Sequence, residues 1–102
     1  PMKTKVIYQG TDTSFGGGNL YIVLCSNIQD LTGYTLNFKL QDIVKTFADI
    51  KDRKIQFNLS KAETSNLKLG LWQGTIEVVD PSGNIFASFT DTIFDVRKNP
   101  ND

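Results

Sequence analysis

Few side chains in this 102-residue chain can do chemistry. Cys25 is the single cysteine, and histidine is absent. A thiolate nucleophile needs a nearby base and an electropositive setting. Without imidazole, the commonest base, the usual zinc nitrogen ligand and the middle member of a Ser-His-Asp arrangement are all missing. Cys25 closes an apolar run, LYIVLC, and reads as a buried structural thiol. It cannot form an internal disulfide, so the fold does not depend on an oxidising compartment. Asp12, Asp30, Asp80 and Asp91 are the carboxylates from which an acid–base pair or a calcium site would be built. Each lies close to Gly, Thr, Ser or Pro, where aspartate closes turns through its own side chain, and EF-hand spacing is absent. Gly16, Gly17 and Gly18 could cradle a phosphate, but no Lys-Ser or Lys-Thr follows them and no dinucleotide fingerprint is completed. They read as a flexible loop. Trp72 with Tyr8, Phe15, Tyr34 or Phe86 could stack on sugars, yet Trp72 leads an inward-facing set and reads as core. Asn58-Leu59-Ser60 matches a glycosylation acceptor by coincidence. The expectation is a chain with no catalytic residue, metal or cofactor, and not an enzyme.

Composition bounds the rest. Hydrophobic residues make up 39% and aromatics 11%, seven of them Phe, enough for one compact core. Eleven basic residues balance eleven acidic ones and are scattered evenly. No basic stripe is available to displace counterions from nucleic acid or to hold an anionic membrane, so neither is expected as a partner. The N-terminus lacks an apolar segment of signal-peptide length, and no stretch approaches membrane-spanning length; synthesis in the cytoplasm is expected. Pro1 before Met2 reads as the remnant of a cleaved tag. Residues 1–4 are then a lead-in, 5–97 one domain, and 98–102 a frayed tail.

The elements follow from periodicity. Residues 71–97 read as a long hairpin, LWQGTIEVVD-PSGN-IFASFTDTIFDVR. Trp72, Gly74, Ile76 and Val78 share one face before the turn, and Asp80-Pro81-Ser82-Gly83-Asn84 supply the turn chemistry. After the turn neither face stays clean, which predicts a bulge near Asp91. Lys5–Gln9 is a short first strand, and Leu20–Ser26 an apolar one. Tyr34, Leu36, Phe38 and Leu40 alternate inward. Asp42–Ile50 mixes helical spacing with β-branched residues and is assigned a short strand leading into a turn. Ile55, Phe57 and Leu59 face inward. Ser60-Lys61-Ala62-Glu63 is a capping box opening a helical turn near residues 60–67. Short strands with turns roughly every ten residues describe an all-β fold: an antiparallel two-sheet sandwich, immunoglobulin-like in size, or else a small barrel.

The order of these features is similar to a known family. A GTDT stretch precedes an apolar strand and then DLTGYTLNFKL. IQFNLSKAETSNLKLG, WQGTIEVVDPSGN and a TDTIFDVR end follow. The chain resembles, over about residues 5 to 97, the N-terminal β-sandwich domain of bacteriophage baseplate upper proteins and related tail and fibre proteins. The resemblance implies a non-enzymatic structural module of a virion, in a baseplate, tail or fibre attachment, docking on other virion structural proteins and self-associating in the particle. A head-decoration or head-fibre protein, or a carbohydrate-binding module on the same scaffold, is the alternative. Tyr8 in the first strand, Phe15 as apolar anchor and the Gly16, Gly17 and Gly18 loop are the expected docking residues.

Overall fold

The computed structural model describes residues 3–12, 20–24, 27–28, 30–48, 50 and 52–101. The chain runs β1 (Lys3–Tyr8), β2 (Leu20–Val23), β3 (Thr35–Leu40), β4 (Ile43–Ala48), β5 (Lys54–Phe57), α1 (Lys61–Ser65), β6 (Gly70–Val79) and β7 (Ile85–Arg97). The described residues are mostly strand, with one short helix among them. Five strands form a sheet in the order β1-β7-β6-β3-β4, and β2 pairs with β5 in a two-stranded sheet.

The expectation of wholly antiparallel sheets fails at β1, which runs parallel to β7. The large sheet is therefore mixed. A parallel neighbour needs a long crossover rather than a hairpin, and here nearly the whole chain separates the two strands. Their alternation still agrees, because Ile7 lies opposite Val96 and both are buried. The second sheet has only two strands, so the described residues form one curved mixed sheet with a small companion and not the expected two-sheet antiparallel sandwich.

The core lies on one face of the large sheet. Leu36, Phe38 and Leu40 on β3, and Ile76 and Val78 on β6, are buried as the period of two demands. Phe57 on β5 packs against them. Its ring centroid lies 4.7 Å from that of Phe38 and 5.5 Å from that of Phe47. Phe94 meets Phe38 edge-on at 5.9 Å. Gly74 sits in this cluster because the two rings occupy the space a side chain would need.

β7 carries the expected bulge. Gly74 pairs with Thr92 but Thr75 pairs with Thr90, so Asp91 has no opposite number. Downstream, Thr92, Phe94 and Val96 are buried. Upstream, the residues opposite Ile76 and Val78 are Phe89 and Ala87, so the inward set changes parity. A second irregularity leaves Phe86 unpaired between Ala87 and Ile85.

Local chemistry fixes the connections. Asp80 Oδ1 accepts the N–H groups of Ser82 and Asn84 at 3.0 and 2.9 Å. Asp30 Oδ1 accepts the Thr32 N–H at 2.9 Å. Both aspartates thus act in turns. Gly33 adopts φ 83°, and a Cβ there would lie 3.2 Å from Pro81 Cγ, so the two turns touch. The helix begins with the capping box: Glu63 N–H donates to Ser60 Oγ at 3.1 Å and Ser60 N–H to Glu63 Oε1 at 2.9 Å. The helix is shorter than the sequence implies and ends at Ser65, with Asn66 as its C-cap. Thr64, fully buried, donates to the Thr11 carbonyl at 2.6 Å, and Gln9 Nε2 donates to the Leu67 carbonyl at 2.7 Å. These bonds stitch the exit of β1 to α1.

Candidate docking surface

Among the described residues no group of three His, Cys, Asp or Glu gathers as metal ligands. Asp91 accepts the Thr92 hydroxyl at 2.7 Å and lies 3.8 Å from Lys3 Nζ. Trp72 packs against the core, and its indole N–H donates to the Leu69 carbonyl at 3.0 Å. Tyr34 meets Phe86 edge-on at 5.9 Å. Cys25, Phe15 and Gly16, Gly17 and Gly18 lie outside the described residues. Of the expected docking residues, Tyr8 is the one described.

Tyr8 belongs to a surface built by three strands. The parallel register sets Val6 level with Asp95 and Tyr8 level with Arg97. On the far side of β7, Leu71 of β6 is level with Asp95. Directly opposed residues share a face, so Val6, Asp95 and Leu71 form one row on the side turned away from the core. Tyr8 and Arg97 begin the next. Arg97 donates to Asp95 Oδ2 from Nη2 at 2.8 Å and from Nε at 3.1 Å. The Asp95 carboxylate, with the Tyr8 side chain adding to it, holds the Arg97 guanidinium above its ordinary pKa. Val6 and Tyr8 are each 39% exposed and Leu71 is 70% exposed. The result is an ion pair flanked by apolar and aromatic side chains, the composition of an interface centre with a charged anchor.

A second feature lies at the bulged end of β7. A notch of about 270 Å³ is walled by Leu24, Ile28, Leu31, Val78 and the exposed rings of Phe86 and Phe89, with Asn27 as its polar side chain. Phe89 stays 40% exposed although it lies opposite the buried Ile76, and Phe86 stays 50% exposed at the second irregularity.

Tyr8 was visible in the sequence, but its neighbours were not. Alternation along β7 puts Asp95 and Arg97 on one face. Nothing local brings Val6 and Tyr8 beside them, because that requires the parallel pairing of the first and last strands. The class the structure defines is an all-β domain with a mixed five-stranded sheet. No family model, curated protein or solved structure matches the chain. No helix among the described residues is long and apolar enough to cross a membrane.

Proposed function

We propose that the chain is a non-enzymatic structural module of a bacteriophage virion that acts by docking on other virion proteins. The five-stranded and two-stranded sheets serve as a partial sandwich, and the rigid sheet presents the docking face. One observation carries the docking half of this reading: Val6, Tyr8 and Leu71 are exposed around the Asp95–Arg97 pair on the face away from the core. A solvated sheet face is ordinarily polar, so exposed apolar side chains around a charged pair suit recognition. The virion half rests on the resemblance of the DLTG, Ser-x-x-Glu and hairpin motifs to baseplate and tail proteins. Sugar stacking is less well supported, since the Trp72 indole N–H is already bonded to the Leu69 carbonyl and the ring packs on the core.

Mass spectrometry of gradient-purified particles, from cells in which the chain is expressed during infection, tests this. The chain is expected in the particles in stoichiometric amount, and Tyr8→Asp is expected to reduce its incorporation while leaving circular dichroism unchanged. A chain abundant in infected cells but absent from purified particles would refute the virion role.

A further inference from the structure

We infer that residues 60–68 act as a strap coupling the two outer strands of the large sheet, so that freeing the strap from the β3–β4 hairpin loosens β1. Neighbouring residues of this short segment bind opposite edges. Glu63 meets Lys45 Nζ on β4 at 2.8 and 2.9 Å. Thr64, the next residue, donates to the Thr11 carbonyl beyond β1 at 2.6 Å. The pattern then repeats. The Leu67 carbonyl accepts Gln9 Nε2 at 2.7 Å, while Lys68 N–H donates to Gln41 Oε1 at 2.8 Å and the Lys68 carbonyl accepts Gln41 Nε2 at 3.1 Å. Gln41 sits in the two-residue turn between β3 and β4, with φ 53°. β1 and β4 lie at opposite ends of the strand order, so the strap bridges four spacings of about 4.8 Å each.

Among the described residues, β1 has few other ties. Ile7 is its one buried side chain, and it pairs with β7 alone. The strap itself is firm, since the capping box fixes its start and Thr64 and Leu67 are buried. A segment gripped from both sides is either seated or lifted, and each edge biases the same choice. Releasing the hairpin grips favours the lifted state, which takes the Gln9 and Thr11 bonds with it and lets β1 open locally. The coupling stands on bonds inside the chain and does not depend on what docks at Val6 and Tyr8. It does make the seating of the strap decide how firmly β1 presents them.

Amide hydrogen exchange on the full chain tests the strap. The double variant Gln41→Ala with Lys45→Met removes both hairpin grips and alters no residue of β1. Its β1 amides are expected to exchange roughly threefold faster or more, relative to those of β6, the factor that one lost hydrogen bond supplies. The converse variant, Gln9→Ala with Thr64→Val, is expected to accelerate β4 amides relative to β6. Normalising to β6, the middle strand of the sheet, separates release of the strap from a general loss of stability. Thr46→Val removes a bond from β4 to Asn37 outside the strap and is expected to leave β1 unchanged. Acceleration of β1 no greater than that of β6 in the first variant, or of β4 no greater than β6 in the second, would overturn the inference. So would a Thr46→Val variant that loosens β1 as much as the double variant does. Any of these results sinks the strap and leaves the docking reading as it stands.

Discussion

Gly74→Ala tests the aromatic packing on the core face of the large sheet. The added methyl would lie 2.3 Å from Phe94 Cε2, 3.0 Å from Phe94 Cδ2 and 3.1 Å from Phe38 Cε1. Carbon atoms rest at about 3.5–4.0 Å, so the Phe94 ring must move by more than about 1 Å. It has little room to do so. Phe94 is 2% exposed and Phe38 1%, and Phe38 is already backed by Phe57. Overpacking of this kind costs about 1–3 kcal/mol. Against it stands the lost freedom of the unfolded chain, which favours alanine by about 0.4–1 kcal/mol. The net destabilisation is about 1–2 kcal/mol, or a fall in Tm of roughly 5–15 °C for a domain this small. Urea unfolding followed by Trp72 fluorescence and by circular dichroism measures it. Adding Phe94→Leu to the alanine variant shortens the offending ring, so the double variant is expected to be more stable than the two single losses added together. If Gly74→Ala unfolds at or above the wild-type temperature, the packing argument at this position is wrong.

Two further perturbations address the helix and its latch. Lys45 Nζ lies 2.9 Å from Glu63 Oε1 and 2.8 Å from Oε2. This bond first, and then the Ser60 N–H, holds the Glu63 carboxyl below its ordinary value of 4.5. A lowered folded-state pKa gives stability that is present above the unfolded value and lost as pH falls through the folded one. Acid titration of stability should therefore show a loss below about pH 4.5 that Glu63→Gln removes; an identical slope in both proteins would count against the latch. Ser60→Ala removes the cap acceptor and is expected to cost about 1 kcal/mol in urea unfolding, whereas Ser60→Asp should retain most of that.

The legible parts of this fold were those set by residues a few positions apart. Leu36, Phe38 and Leu40 announce their face through a period of two, as do Trp72, Gly74, Ile76 and Val78. The bulge at Asp91 was readable because the inward set changes parity along one strand, which only an extra residue can cause. Ser60 and Glu63 specify the helix start by direct reach. What could not be read depends on partners distant in the chain. The parallel seating of β1 on β7 is one case. It leaves no turn signal, because no short turn exists. Lys45 is another: a lysine on the core side of β4, opposite Phe38, makes sense only once α1 delivers Glu63 to it. The candidate docking surface fails to show for the same reason, since its residues come from the two ends of the sequence and from β6.

The two outer strands of the large sheet are poorly suited to docking by strand addition. β1 and β4 are its outermost strands, and an outermost strand offers backbone N–H and C=O groups to any passing chain. Each carries a lysine on its core-side face near mid-strand. Lys5 is opposite the buried Phe94, and Lys45 is opposite the buried Phe38. Extending the sheet past either strand would place a new strand's inward residues beside that cation and draw it further from water. Inward-pointing charges of this kind are a recognised guard against edge-to-edge growth. The outward face near β7 has no such guard. The charges there are paired, Asp95 with Arg97 and Lys39 with Glu77, and Val6, Tyr8 and Leu71 surround the first pair. Guarded edges favour docking through a face over open-ended strand addition. Replacing Lys45 with valine would then be expected to promote aggregation, while leaving the Asp95–Arg97 face as it is.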